Sequence, residues 1–247
     1  MEALSREEAW VLEEKYAGHV APGFEEDRRR LARGEPAAYV IGHQPFLGLT
    51  IYLDSHPLIP RPETEWWTEK LITLLSPSSE PLSFLDLCAG SGAIGCAALA
   101  RLPEARVYFS ELDPAHEATI YKNIRENGLD ESRAHIGIGD LFAPFSDLKF
   151  DVIAANPPYI PSGRALPESV AGYEPHPALF AGEDGLALIR RIAKALPKHL
   201  TERGSAWIEC DASHAEAALE IFRANGFSGE IMHDQFGKPR VLVLSFA

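Results

Sequence analysis

LDLCAGSGAIG, residues 85–95, passes from a buried apolar run through a glycine turn into a helical run. Asp86 stands at the end of the strand. Gly90 and Gly92 lie in the turn, where the missing Cβ lets a ligand approach the backbone. Free N–H groups at the start of the helix suit a phosphate or a carboxylate. Outward from this turn the chain alternates. Strands are expected at 83–87, 105–110, 134–138, 150–155 and 205–210, and helices at 92–101, 114–127, 185–200 and 213–225. Such alternation specifies an α/β, doubly wound parallel sheet. Two late strands, near 227–233 and 240–246, have no helix between them. They predict an antiparallel hairpin at one edge and bring the sheet to seven strands.

Upstream the pattern changes. Residues 5–16 read as a helix, with Ser5 as N-cap and Glu8 three places on, and a second helix runs from about Glu25 to Arg33, ended by Gly34. YVIGHQPFLGLTIYL (39–53) sets β-branched and aromatic residues around Gly48 and predicts a β-hairpin. HPLIPRPETE (56–65) is a proline-stiffened loop, Glu65 opens a helix to about Leu75, and SPSSEP (76–81) is a turn-rich link. Three parts follow: a short helical piece at 1–38, a hairpin and linker at 39–80, and the main domain at 81–247.

Lys and Arg number 23 against 36 Asp and Glu, a net charge of −13, which repels phosphate backbones and disfavours direct nucleic-acid binding. The three cysteines, Cys88, Cys96 and Cys210, form no CxxC pair and no zinc spacing, so no metal site is expected and a reducing cytoplasm fits. The start, MEALSREEAW, is acidic and helical, unlike a signal peptide. The charge-free run between Glu35 and Asp54 is broken by Pro36, Gly42, Pro45 and Gly48, so no membrane span is expected.

GSGAIG (90–95) has the GxGxxG spacing, which by itself marks an ordinary tight turn as readily as a cofactor loop. Glu111, at the end of the next strand, is placed to accept from two ribose hydroxyls, as either a nicotinamide dinucleotide or S-adenosylmethionine requires. Asp140, in GDLF, either accepts from an adenine amino group or caps a turn.

AANPPYIP (154–161) is the most specific signal. Two prolines after a buried strand fix the backbone and remove two donors. Carbonyl oxygens and the Asn156 amide are left facing a pocket at the C-terminal edge of the sheet, where ligands bind. A planar amide or amino nitrogen is a poor nucleophile because its lone pair is delocalised. The Asn156 side-chain oxygen and the Pro157 carbonyl can each accept one N–H of an NH₂ group and aim its nitrogen at a sulfonium methyl. Tyr159 can cover the planar group. Positioning and fixed dipoles then carry the catalysis. The NPPY run favours S-adenosylmethionine over a dinucleotide.

The chain resembles the HemK/PrmC family, which methylates the glutamine of the GGQ motif in peptide chain release factors. NPPY is shared with DNA adenine-amino methyltransferases, and LIPRPETE (58–65) separates the two groups. GEPAAYVIGHQPFLGL (34–49), EPHPALFAGEDGL (174–186) and GKPRVL (237–242) extend the similarity over roughly residues 34–246. The resemblance implies a seven-stranded Rossmann-like methyltransferase sheet and a cytoplasmic, monomeric enzyme of translation termination. Its cofactor would be S-adenosyl-L-methionine and its product S-adenosyl-L-homocysteine. The 1–38 piece would help to recognise the release factor. Asp86 with Cys88, Ala89, Gly90, Ser91 and Gly92 would form the cofactor loop. Glu111 would bind ribose, Asp140 and Leu141 would lie beside adenine, and Asn156 would touch both ligands. Asn156, Pro157, Pro158 and Tyr159 would hold the substrate glutamine, with Arg61, Pro62, Glu63 and Thr64 as one wall. Three features depart from the family pattern. The loop reads DLCAGSG for DLGTGSG, the family's ExGxxQ reads ECDASH with Asp211 and His214, and the helical N-terminal part is short.

Other features carry less. Of Trp66 and Trp67 only one can face the core, Arg28, Arg29, Arg30 and Arg33 read as a solvated helix face, and His176 has no partner base. Three rival readings remain: a nucleic-acid adenine methyltransferase, which needs a basic channel; an inactive cofactor-binding scaffold; and a nicotinamide oxidoreductase, for which no hydride-transfer site is evident.

Overall fold

The computed structural model describes residues 4–76 and 80–247. The turn-rich link expected over 76–81 therefore falls partly outside the described residues, as does the start of MEALSREEAW.

Helix α1 (Arg6–Tyr16) begins with a reciprocal capping box: Ser5 Oγ accepts from the Glu8 amide and Glu8 accepts from the Ser5 amide. Helix α2 (Phe24–Ala32) follows, and Gly34 takes a positive φ after it. The arginines of α2 are less free than a solvated face implies: Arg28 bonds Glu8 on α1, and Arg30 bonds Glu35 and Asp27. Val11, Phe24, Val40 and Ile41 close a small core between these helices and α3 (Ala37–Ile41).

Helix α3 corrects the expected hairpin, which is confined to β1 (His43–Phe46) and β2 (Leu49–Tyr52) with Leu47 and Gly48 as its turn. The strand-forming side chains of Tyr39, Val40 and Ile41 are all buried, and that packing overrides their propensity. Tyr39 also donates to the Pro57 carbonyl at 2.7 Å, tying α3 to the proline loop. Helix α4 (Pro62–Leu75) starts three residues earlier than expected. Pro62 occupies its first turn, where a missing N–H costs nothing. Trp67 on α4 is fully buried and Trp66 only partly, as their adjacency requires.

The main domain alternates as its sequence predicts. Its elements are β3 (Leu82–Leu87), α5 (Ala93–Arg101), β4 (Ala105–Glu111), α6 (Glu117–Glu126), β5 (Ala134–Ile138), β6 (Phe150–Ala155), α7 (Glu168–Ala171), α8 (Ala187–His199), β7 (Leu200–Glu209), α9 (Ala215–Arg223), β8 (Phe227–His233) and β9 (Pro239–Phe246). Among the described residues the sheet has seven strands in the order β5-β4-β3-β6-β7-β9-β8. β3 to β7 pair in parallel, whereas β9 lies antiparallel between β7 and β8.

Strand side chains alternate between two cores. Phe84, Val107, Phe109 and Val152 pack with α4, α5 and α6 on one face. Leu85, Leu87, Ile153 and Ile208 pack with α8 and α9 on the other. A sheet covered on both faces leaves its strand ends as the place for a site, above all between β3 and β6, where the strand order reverses. Among the described residues no helix is long and apolar enough to cross a membrane.

Candidate active site

The carboxyl ends of β3, β4, β5 and β6 meet at a cavity of 290 Å³, near the lower bound of about 300 Å³ usual for small-molecule sites. Cys88, Gly90, Glu111, Asp140, Leu141 and Asn156, all singled out in the sequence, line it. Two smaller lobes of 70 and 40 Å³ adjoin it. Arg61, Pro157 and Tyr159 line the first, and Thr64, Ala89 and Ser91 the second. Asn156 and Leu58 line the cavity and both lobes. Leu58 carries no polar atom on its side chain, and sequence reasoning did not single it out.

The glycine turn is held by backbone geometry. Cys88, Gly90 and Gly92 have φ of 64°, 55° and 77°, all left-handed. At Cys88 this conformation costs a side chain about 1–2 kcal/mol. Gly95 lets α5 lie against β4: a Cβ there would stand 2.2 Å from the Phe109 ring.

Glu111 fixes the cavity wall. One carboxylate oxygen accepts from the Gly90 amide at 2.7 Å and the other from the Asp113 amide at 2.9 Å. Each oxygen retains a lone pair for a ligand hydroxyl. Asp140 forms an ion pair of 2.5 Å with Arg191 of α8, and both residues line the cavity. Leu141, with φ of 49°, accepts from the Ser110 hydroxyl.

Four expected site residues sit elsewhere. Asp86 is fully buried behind the turn and does not line the cavity. One oxygen accepts from the Gly95 amide at 2.8 Å, the other has no partner among the described residues, and burial pushes the carboxyl up to about 8. Gly92 is the N-cap of α5, and Pro62 and Glu63 lie in the first turn of α4; none of the three lines the cavity or its lobes.

The lobe lined by Arg61 and Tyr159 is braced by acids that sequence reasoning passed over. Glu174, 3% exposed, accepts from Arg61 Nη2 at 2.5 Å and from the Ile59 amide at 3.1 Å, so EPHPALFAG is locked onto LIPRPETE. Glu209, 1% exposed at the end of β7, accepts from Thr64, Trp67 and Tyr159. Its signal was a lone acid in the apolar run SAWIEC. Asp211 pairs with Arg164 and accepts from the Ser213 amide. Burial opposes its charge, but these bonds outweigh that and hold the carboxyl at about 2. Burial lowers the His214 imidazole, and its Nε2 has no partner among the described residues. Neither Asp211 nor His214 lines the cavity or its lobes.

The residues present fit S-adenosylmethionine. Glu111 offers lone pairs to ribose, and Glu111 and Asp113 set negative charge beside a ligand that brings a sulfonium.

Comparison with known proteins extends this geometry. A family model described as Conserved hypothetical protein 95 matches residues 53–205. The chain is similar to the release factor glutamine methyltransferase of Chlamydia trachomatis serovar L2, 37% identical over 212 residues, covering 84% of this chain and 71% of that protein. The Moorella thermoacetica protein of the same name is 35% identical over 233 residues, covering 93% and 81%. Among solved structures, a 16S rRNA methyltransferase of T. thermophilus, in complex with AdoMet and guanosine, superposes with a TM-score of 0.57 at 18% identity. It covers 83% of this chain and 50% of that one, a likeness of fold.

Proposed function

The chain belongs to the release factor glutamine methyltransferase family, and from that premise we propose its reaction: methyl transfer from S-adenosylmethionine to the side-chain amide nitrogen of the GGQ glutamine of a peptide chain release factor. The observation that carries this reading is Asn156, which lines the main cavity and both lobes and so stands where two ligands would meet.

When bound, the cofactor supplies an electrophilic methyl on a positive sulfur, which keeps the bonding pair as the methyl leaves. The chain's own part is to present the nitrogen. Asn156 Oδ1 and the Pro157 carbonyl accept the two N–H bonds of the glutamine amide and direct its nitrogen into the main cavity. Tyr159, with its hydroxyl bonded to Glu209 at 3.1 Å, covers the planar group. Arg61 and Thr64 wall the lobes on the side of α4. After transfer the nitrogen loses its proton to water, so positioning and fixed dipoles replace a strong base. Cys88 to Ser91 with Glu111 hold the cofactor's amino-acid and ribose parts, and Asp140 with Leu141 lies beside adenine, while Asp86 sets the turn from behind and Gly92 caps α5. The helices of residues 1–38 help to grip the release factor. The enzyme acts in the cytoplasm as a monomer, without direct nucleic-acid binding.

A labelled-methyl assay with purified release factor, its GGQ glutamine variant and duplex DNA tests the reading. Label on the release factor alone, lost with the glutamine, is expected. Label on DNA would overturn the substrate while keeping the chemistry. Asn156→Ala is expected to abolish transfer and leave cofactor binding nearly unchanged; equal loss of both would mean that Asn156 serves the cofactor.

A further inference from the structure

The Glu209 carboxylate is buried beneath the site, where an ion is costly unless its lone pairs are used. Thr64 Oγ1 and Trp67 Nε1 each donate to Oε2 at 2.7 Å, and the Tyr159 hydroxyl donates to Oε1 at 3.1 Å. Burial pushes this carboxyl above the usual range, while the bonds from Trp67, Thr64 and Tyr159 and the charge of Arg240 pull it back. The carboxylate is therefore held by Thr64 and Tyr159, which line the lobes, and by Trp67 of the core, on two other segments of the chain.

The protons can be followed atom by atom. Trp67 Nε1 only donates, so the oxygen facing it is an acceptor. Thr64 has a single hydroxyl proton, and its bond to Glu209 uses it. Thr64 Oγ1 then has only lone pairs to offer Asn156, whose Nδ2 lies 3.1 Å away. An amide set against a pure acceptor must turn its NH₂ to it. Asn156 Oδ1 is left with no protein partner among the described residues, on a side chain that lines the cavity.

We propose that Glu209 is the positioning residue of this site: through Thr64 it fixes which end of the Asn156 amide meets the substrate, and it holds Tyr159 in place. This rests on the reading of Asn156 as acceptor for a substrate NH₂. Without Glu209 the Thr64 proton is free to turn towards Asn156, the amide can flip, and an NH₂ would then face an NH₂. With glutamine at 209 the relay survives, because its carbonyl accepts from Thr64 and Trp67 while its NH₂ faces a Tyr159 hydroxyl that can turn to accept.

The test uses Glu209→Leu, Glu209→Gln, Thr64→Val and the Glu209→Leu/Thr64→Val double variant of the full chain, with two readouts. In the cofactor-free protein, the Asn156 side-chain NH₂ resonance is identified by its loss in Asn156→Asp. It is expected to move in Glu209→Leu and Thr64→Val and to stay in Glu209→Gln. In methyl transfer to release factor, each apolar variant is expected to lose about 100-fold in kcat, the scale of a misplaced reacting group. Cofactor affinity should stay within about threefold, and the double variant should lose no more than the worse single, as residues of one unit do. Glu209→Gln should restore most of the rate. Glu209→Met replaces Glu209→Leu should the branched side chain not be accommodated. An Asn156 resonance that ignores the apolar variant overturns the relay whatever the substrate is. Losses that multiply in the double variant, or a lowered melting temperature with kcat intact, overturn it as well. Should the wild type leave the release factor unlabelled, the substrate reading fails and the resonance still decides the relay.

Discussion

Replacing Glu111 by alanine removes four hydrogen bonds at once, of which two are visible in the fold and two are expected with ribose. The bonds from Gly90 and Asp113, at 2.7 and 2.9 Å, anchor the glycine turn and the start of the next loop. Their loss loosens the cofactor-free protein. The lone pairs that remain would each meet a ribose hydroxyl. Bonds to a charged group contribute about 1.5–3 kcal/mol each, and water replaces part of that in a cavity open to solvent. The expected net loss of cofactor affinity is about 1–3 kcal/mol, a rise in Kd of roughly 5- to 150-fold. Calorimetric titration with S-adenosylhomocysteine measures it. A second titration with the 2′-deoxy analogue separates the ribose contact from the loosened turn. Wild type should bind the deoxy ligand more weakly than the parent, and Glu111→Ala should scarcely distinguish the two. If both proteins lose equally on 2′-deoxygenation, Glu111 does not touch that hydroxyl. An unchanged Kd in Glu111→Ala would remove it from the ribose site altogether.

Three further outcomes follow from the same geometry. Gly95→Ala would place a Cβ 2.2 Å from the Phe109 ring and force α5 off β4; a loss of about 1–3 kcal/mol in urea unfolding is expected, as for other overpacked cores. Asp86 is protonated more readily in the folded chain, with its carboxyl raised to about 8 by burial. Its contribution to stability is therefore present in acid and lost as pH rises from about 4 through that value. Asp86→Asn should accordingly gain on wild type across this window in melting experiments on the cofactor-free protein, and a constant difference would contradict the burial argument. Burial also raises the thiols of Cys88, Cys96 and Cys210, the last to about 12. Native protein should react slowly with an alkylating reagent at neutral pH, Cys88 first because it lines the cavity and more slowly still with S-adenosylhomocysteine bound.

Much of this architecture is legible in local sequence. The alternation from Leu82 onward placed the strands and their helices, and the two strands after α9 announced the antiparallel edge. The glycine turn, Glu111 and NPPY each lie at or just past the end of a strand, so the parallel sheet alone gathers them at one edge. Errors arose where local preference and context disagree. Tyr39, Val40 and Ile41 read as strand but form α3, because burial of their side chains outweighs a weak propensity. Pro62 read as loop but begins α4, because proline suits a first helical turn.

The sequence by itself determined the sheet, the glycine turn and the amide-bearing NPPY segment, since each is a short run whose residues act on their immediate neighbours. Only the tertiary structure decided what holds that amide. Thr64 and Glu209 are 145 positions apart and meet through the packing of α4 on β7; Arg61 and Glu174 are separated by 113. It also decided that Asp86 lies behind the turn and that β9, not β8, pairs with β7. A buried charge must find its donors wherever the fold brings them, and no spacing along the chain records that choice.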